Sequence, residues 1–215
     1  MINLYAREKN MKWNLKKIQF LYPPDNFIGS FANEKMQARH KALQGEKTNI
    51  ILKNIAASKT PLTAIQTLNN LDHLQFLLNN IEEFKKDDCL EETVLKLYCK
   101  ENSAFTSGGI FDTWHNLFLQ CDAERFYSLG DSFLDENIPV FRGSITGVEK
   151  GFCWTTNKQK ADWFLDRWKD KEQGGGTVYS TKISRKDLLV SLKDTEKKEL
   201  IISPQFLKTA KIVVA

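Results

Sequence analysis

Residues 138–156 read IPVFRGSITGVEKGFCWTT and lead directly into NKQKADWFLDRWKDK at 157–171. The first run holds two short stretches, IPVFRG and GFCWTT, rich in β-branched and aromatic residues and bounded by turn residues, which is the pattern of strands. The second changes period: Ala161, Phe164, Leu165 and Trp168 fall at i, i+3, i+4 and i+7 behind a capping Asn157, which predicts an amphipathic helix. Further strands are expected in GTVYSTKI (176–183), ELIIS (199–203) and KIVVA (211–215). Gly174, Gly175 and Gly176 lack the Lys-Ser/Thr of a phosphate loop and lead into no helix, so the run reads as a flexible connector.

Upstream the grammar is helical. From Pro61 to Phe84 the residues Ile65, Leu68, Leu71, Leu74, Leu78, Ile81 and Phe84 recur at helical spacing, with Thr60 as N-cap and Pro61 in the first turn. LEETVLKLYC (90–99) fits a second helix, and FDTWHNLFLQCDAERFYSL (111–129) a third after Gly108-Gly109. The expected architecture is α+β: a helical region over residues 1–135, then a compact mixed or antiparallel β-sheet domain over 136–215.

The 215 residues, 41% of them hydrophobic, are enough for a real core. The Lys- and Arg-studded start MINLYAREKNMKWNLKKIQF has no uninterrupted apolar segment, so neither a secretory signal nor a membrane helix fits it. Cys89, Cys99, Cys121 and Cys153 are too scattered for CxxC-type metal spacing and too few for a disulfide scaffold, which predicts free thiols in a reducing cytoplasm. His40, His73 and His115 show no metal spacing, and His73 reads as an interfacial helix residue. No metal is expected. Charge is uneven: from Val140 onward 15 Lys or Arg face 9 Asp or Glu, against 16 and 18 in the rest. A basic carboxy-terminal part suits a polyanion, whether NAD pyrophosphate or nucleic acid.

Four segments then stand in order: PVFRGS, GFCWTTNKQKADWF, VYSTKISRKDLLVSL and EKKELIISP. Over about 75 residues this order resembles ADP-ribosyltransferases of the Arg-Ser-Glu type. That family has a strand ending in Arg, a strand ending in a Ser-Thr-Ser-like triplet followed by a helix, and a strand opened by a catalytic Glu. The resemblance implies a toxin-like or phage-like, NAD-dependent mono-ADP-ribosyltransferase that moves ADP-ribose to a macromolecule and releases nicotinamide. Arg142 then grips the NAD phosphates, which suits a planar, permanently charged guanidinium. Gly143 lets its backbone approach the nicotinamide amide. Glu199 stabilises the oxocarbenium-like ribose left as the nicotinamide bond breaks. The triplet is either Cys153-Trp154-Thr155 or Trp154-Thr155-Thr156, and Thr155, common to both, takes the orienting role of a serine. Trp154, Trp163 and Phe164 are aromatic candidates for stacking on nicotinamide, with core packing as the alternative.

This chain departs from the arginine-modifying members at Lys197, two residues before Glu199, where they carry Glu or Gln. A cation there repels a guanidinium and suits a phosphate backbone, so the acceptor is a protein or a nucleic acid. Two other readings share the motifs: an NAD glycohydrolase, in which water is the acceptor, and a non-catalytic binding module that has lost the triplet serine. An inhibitory partner protein is compatible with all three, and no membrane partner is expected.

Overall fold

A computed structural model describes residues 11–20, 33–99, 110–132, 136–168, 176–192 and 199–215. The chain is mixed α/β and divides into two compact units, Met1–Ile110 and Phe111–Ala215.

In the first unit the described elements are helical: α1 (Glu34–Ala57), α2 (Pro61–Ile65), α3 (Asn70–Asn79), α4 (Ile81–Lys86) and α5 (Leu90–Cys99). Thr60 caps α2 as expected, and a reciprocal bond from Thr63 completes a capping box. The single helix expected over 61–84 is in fact three. Asn69 ends the first stretch by accepting from Leu71 N–H, and Asn80 adopts φ −127 with its side chain turned to Asn14 and Phe76. The breaks rotate the apolar stripe, so Leu71 is 56% exposed while Phe76, Leu77 and Phe84 are sealed. Trp13, from the segment 11–20, packs on Phe76 with ring centroids 5.9 Å apart, and Phe76 meets Phe84 edge-on. His73 reaches the carbonyl oxygen of Leu68 at 3.1 Å.

In the second unit α6 (Phe111–Gln120) and α7 (Ala123–Ser128) precede β1 (Ile138–Ser144), β2 (Cys153–Trp154), α8 (Lys158–Trp168), β3 (Thr177–Ile183), β4 (Leu188–Leu192), β5 (Glu199–Ile202), α9 (Pro204–Thr209) and β6 (Val213–Val214). The helix expected over 111–129 breaks at Asp122, whose carboxylate accepts from Arg125 N–H at 2.8 Å and so starts α7 as its N-cap. Both helices, read in the sequence as part of the amino-terminal region, belong with the strands: α7 packs on β4 and α6 on α9.

The strands form two antiparallel three-stranded sheets, β1-β3-β6 and β2-β5-β4. All five expected strand segments contain one. The sixth, β4, follows a 3-10 turn at Arg185–Asp187. One bridge joins the sheets: Phe141 N–H donates to Thr155 O at 2.8 Å and Thr155 N–H to Phe141 O at 2.9 Å. Among the described residues no helix is long and apolar enough to cross a membrane.

Candidate functional site

Of the residues singled out in the sequence, Arg142 and Gly143 are on β1, Trp154 and Thr155 at the end of β2, and Glu199 at the start of β5. Successive side chains of a strand point to opposite faces. Phe141 packs with Ala161, Leu165 and Val178 on the α8 side of β1. Gly143 is on the same side, where an added Cβ would stand 2.5 Å from Ala161 O. Arg142 therefore projects from the other face, together with Tyr179, its direct partner on β3.

Backbone parity gives Gly143 a second property. Phe141 turns both its polar groups to β2, and Val178 O is taken by Ala215 N–H at 2.9 Å. In an antiparallel ladder the groups of Gly143 then also point away from β3, towards the side of β2. Its missing side chain makes room for α8.

Arg142 is half-buried. Its Nη1 donates to Cys153 O at 3.0 Å, and its buried Nε has no partner. Among the described residues no carboxylate pairs with it. A buried N–H left without an acceptor costs about 1–3 kcal/mol, a cost that Arg142 carries in this arrangement.

Thr155 and Glu199 stand on the neighbouring strands. β2 pairs with β5 as Cys153↔Ile201 and Trp154↔Leu200; Thr155 follows β2 directly, and Glu199 opens β5. Directly opposed residues share a face, so the Thr155 side chain is on the Phe141 side of the strands, and Arg142, the next residue along β1, projects from the other side. Thr155 is buried; its Oγ1 accepts from Asn157 N–H at 3.2 Å, which leaves the hydroxyl proton to donate. Glu199 is half-buried at the start of β5, paired with Leu192. Asn157 caps α8 as the sequence predicts, accepting from Lys160 N–H at 3.3 Å.

The aromatic expectations are corrected in part. Trp154 is only 2% exposed and its indole N–H donates to Gly151 O at 2.6 Å, so it has no open face for nicotinamide. Phe164, expected on the apolar face of α8, is 41% exposed, and its neighbour Trp163 is also on the surface. Lys197, Gly174 and Gly175, and the side chain of Trp168, lie outside the described residues.

Two residues of the site escaped the sequence reading. Gly151 lies against the Arg142 guanidinium, where a Cβ would overlap Cζ, Nη2 and Nε. Tyr179 donates its hydroxyl to Gly147 O at 2.7 Å and so ties the β1–β2 loop to β3. The glycine was visible only as a strand boundary, and the tyrosine only as one of several aromatics. Among the described residues no group of His, Cys, Asp and Glu is placed to hold a metal. Comparison of the chain with family models, with curated proteins and with solved structures finds no match.

Proposed function

We propose that the second unit is an NAD-dependent mono-ADP-ribosyltransferase that modifies a macromolecule, protein or nucleic acid. The observation that carries this reading is Arg142, half-buried with no carboxylate partner among the described residues, on the strand that Thr155 bridges at the adjacent Phe141, with Glu199 opening the strand paired to β2. A partly desolvated arginine with no carboxylate partner fits a diphosphate, and a hydroxyl and a carboxylate together fit a ribose.

In this reading Arg142 holds the diphosphate, the Gly143 peptide meets the nicotinamide amide, Thr155 orients the ribose, and Glu199 stabilises positive charge at its anomeric carbon. Transfer breaks the bond between that carbon and the nicotinamide nitrogen, whose electron pair leaves with nicotinamide. The acceptor atom forms the new bond and gives up its proton. The surplus of Lys and Arg after Val140 suits an anionic substrate.

The test is incubation of the full chain with labelled NAD and cell extract, beside Glu199→Ala. Label on protein or nucleic acid that disappears in Glu199→Ala is the expected result. Free ADP-ribose alone identifies a glycohydrolase, and absence of NAD consumption, or consumption unchanged in Glu199→Ala, overturns the catalytic assignment.

A further inference from the structure

We propose that one face of α1 (Glu34–Ala57) is a docking seam for an acidic amphipathic helix of a partner protein, an inference independent of the NAD reading. α1 is 24 residues long, yet its buried residues are Ile51, Leu52 and Ile55, all in the last two turns. From Glu34 to Ile50 none is buried. Within that stretch Met36, Leu43 and Ile50 are 56%, 47% and 52% exposed and stand seven residues apart. Seven residues are almost two helical turns, so the three side chains line up along the helix. Gly45, in the same stretch, has nothing within 4 Å of the position a Cβ would take. A glycine inside a helix is destabilising, and a stretch that buries nothing has little to offset it. A docked helix would supply the missing burial.

Width and charge decide the occupant. Three residues after each seam position come Arg39, Glu46 and Lys53, all exposed, and four residues after come His40, Lys47 and Asn54. The apolar strip is therefore one residue wide, with polar side chains on both sides. A membrane surface takes a broad apolar arc, of the order of 100° or more, whereas a strict seven-residue repeat is the seam of one helix against another. Charge then separates the helical partners. Along α1 five Lys or Arg stand against two Glu. A second copy laid on the seam would set cation against cation. A helix with Glu beside its own apolar seam would instead set anions against Arg39 and Lys53.

The probe is a synthetic heptad peptide with Leu at its a and d positions and Glu at e and g, titrated calorimetrically into the full chain. The same peptide with Lys in place of Glu, and vesicles of anionic phospholipid, are titrated alongside. Leu43→Gln trims the seam at its centre without changing charge, and Lys41→Gln removes a charge from the far side of the helix. Both side chains are exposed, so both variants should fold. The parent is expected to bind the Glu peptide and not the Lys peptide, more weakly as salt is raised. Leu43→Gln should weaken that binding about tenfold, and Lys41→Gln should leave it within about twofold. No binding of the Glu peptide, or equal binding by the parent and Leu43→Gln, overturns the proposal. Binding to the vesicles in preference to the Glu peptide assigns the face to lipid, and a sedimenting dimer of the parent that Leu43→Gln abolishes assigns it to a second copy; either result overturns the proposal as well.

Discussion

Gly143 and Ala161 are packed so closely that a methyl group at 143 would stand 2.5 Å from the Ala161 carbonyl oxygen. That oxygen is helix backbone and has no rotamer to yield, so Gly143→Ala must displace α8 or bend β1. Overpacking of this kind costs about 1–3 kcal/mol. The expected outcome is a fall in melting temperature of several degrees, of the order of 4–8 °C per kcal/mol for a unit of this size. A calorimetric melt checks it, and a variant as stable as the parent would show that the helix sits elsewhere in solution.

Glu199→Gln separates chemistry from folding. The side chain is half-buried at a strand start, and Gln keeps its shape while removing the charge. Loss of one electrostatic stabiliser of a charged transition state costs about 10²–10³ in turnover. Stability should stay within about 0.5 kcal/mol, as for most substitutions away from a core. Nicotinamide release and a thermal melt on the same preparation read both quantities. Turnover within twofold of the parent removes Glu199 from the mechanism.

Cys89 gives a pH prediction. Burial first, then the charges of Asp87, Glu92 and Glu91, push its thiol up from 9.0 to about 11. The folded state therefore holds this proton more tightly than the unfolded chain does. The resulting stabilisation is complete below pH 9.0 and is lost as the pH rises towards 11. At pH 8 the thiol is protonated and buried, so a maleimide should label it more slowly than the half-buried Cys99, Cys121 and Cys153. Mass-spectrometric mapping of label against time checks the order, and early modification of Cys89 in the native protein would contradict it.

The order of elements was legible in the sequence: a strand with Arg142, a strand ending near Thr155 before a helix, and a strand opened by Glu199. The contact of Gly151 with Arg142 was not, because it joins residues of two strands through a side chain, which no local period encodes. β4 was missed because LLVSL is buried at four consecutive positions and shows no alternation. The long α1 gave no clear stripe, as its buried residues are confined to Ile51, Leu52 and Ile55 near its end. The over-long helix at 61–84 is a different failure. Asn69 and Asn80 were visible, but a repeat of Leu and Ile outweighed two side chains whose bonds to backbone break the helix.

Asp72 offers the sharpest test of the first unit. Its carboxylate is 2% exposed and accepts from the N–H groups of Gln19 and Phe20 at 2.8 and 3.0 Å. Phe20 has φ 54, a left-handed conformation that costs a side-chain-bearing residue about 1–2 kcal/mol, so the two bonds offset a local strain. Asp72→Ala removes both acceptors at once and should destabilise the unit by about 2–3 kcal/mol, the value of bonds to a buried charged group. The loss should also be local. Asn14 N–H bonds instead to Asn80 Oδ1 at 2.8 Å, at the other end of the same segment. Hydrogen exchange should therefore quicken strongly at Gln19 and Phe20 and much less at Asn14. Unchanged exchange at Gln19 and Phe20 would show that Asp72 does not hold the segment, and equal acceleration at Asn14 would show that the variant loosens the whole unit rather than this clamp.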